Sequence, residues 1–214
     1  MKRILMLGTA AMLLLGGCDV IGIRGNGNVV TDQRSIADFT EIRASGGMKV
    51  EWHAGPPSLS ITTDENLLRY IEGHISGSTL RLKEHDRLRP THGIHVTVSS
   101  PKFNGGDLSG AVDLVAHNLT GAKFYVRGTG ATDITLDGTV DELLADMTGA
   151  GDLKAKSLQV KTAQISTTGA ADAVVNVSDV LRVSITGAGD VTYYGNPPTI
   201  EKHITGAGSV RHKQ

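Results

Sequence analysis

Between Val180 and Gly187 the chain reads VLRVSITG, and apolar Leu181, Val183 and Ile185 alternate with Arg182, Ser184 and Thr186. A period of two is the mark of a strand with one buried and one solvated face. FYVRGTG at Phe124 and ADMTGAG at Ala145 follow the same rule less cleanly. These stretches share a wider regularity. SGAVDL at Ser109, TGATDI at Thr129, TGAGDL at Thr148, TGAADA at Thr168, TGAGDV at Thr186 and TGAGSV at Thr205 begin at intervals of 20, 19, 20, 18 and 19 residues.

A fixed period near twenty predicts stacked units. It is too short for a βαβ unit of about 30 residues, but it suffices for two or three short strands joined by tight turns. The predicted fold is therefore all-β: a single-stranded parallel β-solenoid, or β-helix, with coils of about 19 residues. The rival arrangement, an antiparallel meander with two strands per repeat, explains less well why every repeat keeps the same corner residues. Within the motif, Gly supplies backbone angles closed to other residues, Ala is small enough for an inside corner, and Asp caps the turn or points outward. The sixth position (Leu114, Ile134, Leu153, Ala173, Val191 and Val210) is apolar throughout and starts the next inward face. Stacking predicts a hydroxyl column, an Ala column and an Asp column. A second turn lies opposite the first in LDGTVDE, NVSDV and YGNPPT, the last holding Pro197 and Pro198, which cannot donate to a ladder.

Residues 25–107 repeat less regularly but still read as β, in GNGNVV, FTEIRASGGMKVEWHAG, SLSITTD, STLRLKE and GIHVTVSS. SGGMKV at Ser45 echoes the corner, with Lys49 where later copies have Asp. DENLLRYIEGHI is the one predicted helix, with Asp64 at its cap and Leu67, Leu68 and Ile71 on its apolar face. HDRLRPTHG is read as an exposed loop. This part is expected to cap one end of the repeats in 108–214.

The N-terminus is read as a leader. Lys2 and Arg3 precede the apolar run Ile4–Leu15, too short to span a bilayer, and LLGGC ends at Cys18. LLGGC resembles the lipobox of bacterial lipoproteins. The expectation is a signal peptide over 1–17, lipidation of Cys18, a tether over 18–24, and a lipid-anchored protein of the bacterial cell envelope, periplasmic or outer-surface. As the sole cysteine, Cys18 can form no internal disulfide. Charge adds an exclusion. The formal net charge is −1, or −3 without Lys2 and Arg3, with no clustered Lys and Arg to hold nucleic acid.

The order GNGNVV, FTEIRASGGMKVEWHAG, LSITTDENLLRYIE and STLRLKE, followed by TGAGDL-type units, resembles the putative auto-transporter adhesin head GIN domain family, from about Gly25 to Val210. The resemblance implies a bacterial envelope protein with a β-solenoid-like fold and no established enzymatic activity. It brings no catalytic residues.

Candidate chemistry is sparse. Asp113, Asp133, Asp152, Asp172 and Asp190 form the predicted Asp column. It is either a Ca²⁺ site or a row of capped, solvated turn residues. Calcium takes six to eight oxygens, and one Asp per coil supplies few. The eight histidines are scattered, and His92 and His95 in HGIH fall on opposite faces of a strand. Trp52 reads as core, and of Tyr193 and Tyr194 one is buried and one exposed. No GxSxG, phosphate loop or zinc spacing is present. No cofactor and no catalytic residue is assigned. The expected function is a non-catalytic, adhesin-like envelope lipoprotein that binds an extended glycan or an envelope or matrix component through one face. The alternatives are a polysaccharide-acting β-helix enzyme and a structural or self-associating envelope spacer, for which an oligomer is expected.

Overall fold

The computed structural model describes residues 22–214. The predicted signal peptide over 1–17 and Cys18, the predicted lipidation site, lie outside the described residues. The chain runs through β1 (Ile23–Arg24), β2 (Val29–Arg34), β3 (Glu41–Ala54) and β4 (Ser58–Asp64), then a 3-10 turn (Glu65–Tyr70). There follow β5 (Ile71–Ser76), β6 (Thr79–Glu84), β7 (Leu88–Arg89) and β8 (His95–Ser100). The repeats supply β9 (Gly105–Gly130), β10 (Asp133–Gly149), β11 (Asp152–Gly169), β12 (Asp172–Gly187), β13 (Asp190–Tyr194), β14 (Thr199–Gly206) and β15 (Ser209–His212).

One long sheet holds nearly all of it, in the order β15-β13-β12-β11-β10-β9-β3-β8-β4-β2, with β14 also on β12 and β6 also on β3. Among the described residues no sheet closes on itself. Every pairing among β9 to β15 is parallel, so the antiparallel meander is not what these repeats form. The sheet turns antiparallel only toward the N-terminal end, at β2–β4, β4–β8 and β5–β6.

The register superimposes like on like. Thr148 lies between Thr129 and Thr168, and Thr186 between Thr168 and Thr205. The echo at Ser45 sits on Ser109, so β3 adds one further rung. The corner glycines explain why the motif is fixed. Gly110, Gly130, Gly149, Gly169, Gly187 and Gly206 have φ between +95° and +128°. A Cβ on Gly110, Gly130 or Gly169 would stand 2.5–2.6 Å from the neighbouring corner's carbonyl oxygen. From Gly110 to Gly187 the corner oxygens are in use: the amides of Ala131, Ala150, Ala170, Ala188 and Ala207 donate to the Gly carbonyl one repeat back, at 2.8–2.9 Å. At the first corner no earlier carbonyl exists, and a side chain replaces it. The Gly47 amide donates to Glu84 Oε2 at 2.7 Å, while Glu84 Oε1 accepts from the Leu88 amide at 3.0 Å.

The motif's Ala is exposed in every repeat, contrary to the inside-corner expectation. The inside corner is the fourth position, occupied by fully buried Val112, Thr132 and Ala171 and by Gly151 and Gly189. The sixth position is buried as expected, with Val210 half-exposed at the end. Inward columns such as Leu143, Ala163 and Leu181 join one hydrophobic cluster running from Phe39 to Tyr193. Burial of a Leu, Ile or Val side chain contributes about 1.5–3 kcal/mol each. Trp52 is core, stacked 5.1 Å from Phe103 with its indole N–H on Ser100 Oγ at 2.9 Å. Tyr193 is buried and Tyr194 half-buried.

Four local expectations are corrected. DENLLRYIEGHI forms only a 3-10 turn, and Ile71–Ser76 is a strand paired with β6. Asp64 makes no cap bond to that turn. It is fully buried and accepts instead from the Gly27 amide (2.7 Å), the Thr91 amide (2.8 Å) and Thr91 Oγ1 (2.8 Å), binding the GNGN loop to the 85–93 segment. That segment is not wholly an exposed loop, because Leu88 is buried and β7 pairs with β1. His92 precedes the strand that carries His95 and does not face away from it along one strand: His95 Nε2 lies 3.0 Å from the His92 carbonyl oxygen.

Candidate functional site

Alternation on either side of the glycine corner produces two outward surfaces. The first lies just before the corner and has three columns. The Ser/Thr column contains Ser45, Ser109, Thr129, Thr148, Thr168, Thr186 and Thr205. Two residues upstream is a charged and polar column: Arg43, Asp107, Arg127, Asp146, Ser166, Ser184 and His203. Beyond it stand Tyr125, Leu144, Gln164, Arg182 and Glu201. At about 4.8 Å per strand, the stretch from β6 through β3, both passes of β9, and β10 to β14 extends some 34 Å.

The middle column opens as a ladder of alternating charge. Arg43 Nη2 is 2.9 Å from Asp107 Oδ2, Arg127 Nη1 is 3.6 Å from Asp107 Oδ1, and Arg127 Nη2 is 4.0 Å from Asp146 Oδ2. Desolvation, with the negative charges of Glu41 and Asp107, pushes the Tyr125 phenol up to about 12, so it stays protonated and able to donate at any physiological pH. Past Asp146 the ladder changes character. The side chains of Gln164, Ser166, Ser184 and His203 make no hydrogen bond or ion pair among the described residues, and neither do the threonines of the Ser/Thr column. Gln164, Ser166, Ser184 and His203 line, with Asp146, Arg182 and Glu201, a shallow groove of about 360 Å³. Within it Arg182 Nε pairs with Glu201 Oε2 at 3.0 Å, while the four unengaged side chains offer donors and acceptors in fixed rows with no partner from the chain itself.

The second surface, just after the corner, carries the predicted Asp column. Asp133 lies beside Asp113, and Asp152 beside Asp172. The column is real, and three of its five carboxylates are engaged by the next repeat. Asp133 Oδ1 accepts the Asp152 amide at 3.2 Å, Asp172 Oδ1 the Asp190 amide at 2.7 Å, and Asp190 Oδ1 both the amide and hydroxyl of Ser209, at 2.9 and 2.7 Å. Asp133, Asp172 and Asp190 thus tie their repeats to the next, not to their own turns. Lys154 sits 3.4 Å from Asp133 and 3.6 Å from Asp152, and Arg211 is 3.3 Å from Asp190. The Ser209 hydroxyl, with Arg211, holds the Asp190 carboxyl below its usual range. Among the described residues no three His, Cys, Asp or Glu side chains are grouped to hold a metal ion.

The same surface joins histidines far apart in sequence. His53 and His117 stack at 5.5 Å, Glu51 Oε1 lies 3.0 Å from His53 Nε2, and His117 Nδ1 lies 2.7 Å from Asp137 Oδ2. Asp137 is partly desolvated, yet the Asn118 amide and His117 hold its carboxyl below the ordinary range. The signal for such neighbours is the repeat offset: Asp137 follows His117 by one period. The same rule would have exposed the first surface, since Asp107, Arg127, Asp146, Ser166, Ser184 and His203 each stand two residues before a motif hydroxyl.

Several solved structures share this architecture. An adhesin described as putative from Bacteroides fragilis NCTC 9343 superposes with a TM-score of 0.75 at 21% identity, covering 90% of this chain and 100% of that one. A protein described as a putative lipid binding protein from Parabacteroides distasonis ATCC 8503 gives 0.60 at 22% identity, over 91% and 100%. A putative adhesin from Parabacteroides merdae ATCC 43184 gives 0.56 at 20% identity, over 90% and 99%. No curated protein matches the chain. A family model described as putative auto-transporter adhesin, head GIN domain, matches residues 38–197, three quarters of the sequence. The chain belongs to that family.

Proposed function

We propose that this protein is a non-catalytic, lipid-anchored envelope protein whose repeats wind as a β-solenoid and whose surface before the glycine corner binds an extended polar polymer, a glycan in the first instance. The observation that carries this reading is the unengaged row of Gln164, Ser166, Ser184, His203 and the motif threonines. On the opposite side of the corner, Asp133, Asp172 and Asp190 are consumed by inter-repeat bonds. A polymer with its own periodic hydroxyls satisfies such rows with hydrogen bonds at successive heights, each modest in water at about 0.5–1.5 kcal/mol, so affinity grows with the number of rows engaged. Adhesin naming among the structural relatives accords with this reading. Lipidation at Cys18 would leave four residues before Gly22, a reach of at most about 14 Å, and would hold the N-terminal end of the sheet close to the bilayer.

The test is a glycan array and pull-down from envelope extracts with the purified chain. Ser184→Trp, which fills the groove, is compared with Thr192→Trp on the other surface. Binding abolished by the first substitution and retained with the second supports the assignment. Binding unaffected by Ser184→Trp, or absent from every glycan and extract, overturns it.

A further inference from the structure

The polar surface does not end at β3. Strand β6 pairs with β3 in parallel, setting Arg81 against Arg43 and Lys83 against Ser45. Strand β5 then adds His74 beside Arg81 and Glu72 beside Lys83. These side chains line a cleft of about 350 Å³ at the N-terminal end of the same surface. Its charges are unbalanced. The single acid in the cleft, Glu72, is already engaged: Oε1 lies 2.8 Å from His74 Nδ1 and Oε2 2.6 Å from His85 Nε2. Arg43 is occupied by Asp107. Exposed Arg81 and Lys83 form no ion pair among the described residues. Two cations without a salt-bridge partner, with the Ser45 and Ser76 hydroxyls on the same walls, are what an anionic group requires: a planar fork of donors on Arg81, a point charge on Lys83, and neutral donors beside them.

We infer that this cleft is an anion subsite, and that the polymer bound along the surface carries acidic substituents, one of which is held between Arg81 and Lys83. This rests on the binding surface proposed above and narrows its ligand from polar to acidic polymers. Carboxylate, sulfate and phosphate share the required chemistry. The cleft lies in line with the Arg43–Asp107–Arg127–Asp146 ladder, so a chain anchored there passes onto the unengaged rows beyond.

The experiment is calorimetric titration of the purified chain with oligogalacturonate, a heparin-type sulfated oligosaccharide, polyphosphate and a neutral dextran oligosaccharide, at low and high salt. At least one acidic oligomer is expected to bind, with Arg81→Gln and Lys83→Gln each weakening it about tenfold and reducing its salt dependence. Lys161→Gln, on a surface away from the cleft, should leave affinity unchanged. All three side chains are exposed, and matched thermal transitions verify folding. The acidic oligomer that binds tells carboxylate from sulfate from phosphate. Equal weakening by Lys161→Gln signals diffuse attraction and overturns the subsite. Binding of the neutral oligomer alone, unaffected by Arg81→Gln, overturns the subsite while the binding surface stands. Binding of no oligomer overturns the subsite, and the glycan array then decides the surface separately.

Discussion

Replacing Gly169 by Ala asks whether the corner ladder or the glycine's own backbone freedom fixes the motif. Gly169 has φ of +107°, and an added Cβ would lie 2.5 Å from the Gly149 carbonyl oxygen. The left-handed backbone alone costs an L-residue about 1–2 kcal/mol. Relieving the contact also requires the two corners to separate, and the Ala170 amide then loses its 2.8 Å bond to that oxygen, worth about 1 kcal/mol. The sum is about 3 kcal/mol against a typical total of about 5–15 kcal/mol, or a fall in Tm of about 6–12 °C for a chain of this size. Gly77→Ala is the control. Its φ is +64°, and no heavy atom stands within 4 Å of the added Cβ, so it should lose only the backbone component. Urea unfolding followed by far-UV circular dichroism measures both. If the two variants lose equal stability, close approach between corners is not what selects the glycine, and the account of the motif fails.

Three further outcomes are expected. Thr167 Oγ1 is buried without a hydrogen-bond partner, and its register neighbours are Met147 and Ile185. Thr167→Val should therefore stabilise the protein by about 1 kcal/mol, and a lower urea midpoint would contradict this. Lys202 occupies an inward position beside buried Val183, between Ile200 and Ile204 on β14, with its amine 5.6 Å from the Tyr193 ring. An inward charge protects an edge, so Lys202→Val should produce concentration-dependent association by light scattering, and a strictly monomeric variant would refute the protective role. The Thr91 amide, foremost, holds the Asp64 carboxyl below its ordinary 3.8. A carboxyl lowered on folding stabilises above its unfolded pKa, and that contribution is lost as pH falls. Stability should hold from pH 7 to about 5 and decline below about 4, less steeply in Asp64→Asn; an unchanged acid limb would refute the assignment.

What the sequence disclosed and what it hid follow from one distinction. Interactions between equivalent positions of neighbouring repeats are periodic, so the Thr, Gly and Asp columns were legible from the spacing alone. The roles within the motif were less so. Ala and the fourth residue are both small, and only alternation counted from the buried sixth position tells that Ala171 faces in and Ala170 out. Pairings without a period were hidden. Glu41–Trp52 lies on Gly105–Ala116, an offset of 64 residues, and no repeat announces it. Leu67, Leu68 and Ile71 fit a helical face, yet antiparallel pairing of Ile71–Ser76 with Thr79–Glu84 prevails over that local preference. The basic cleft escaped notice for the same reason: Arg43, His74 and Arg81 meet only once β5 folds back on β6.

The superposition of equivalent residues has a consequence for how such a molecule changes over generations. Tandem duplication of one unit adds about 4.8 Å of length and a fresh rung to every column, while each older rung keeps its neighbours except at the splice. Length and surface chemistry thus vary independently: copy number sets the span, and single substitutions at one height alter a solitary rung. A gene encoding this protein can lengthen the sheet by slippage during replication without inventing a new core.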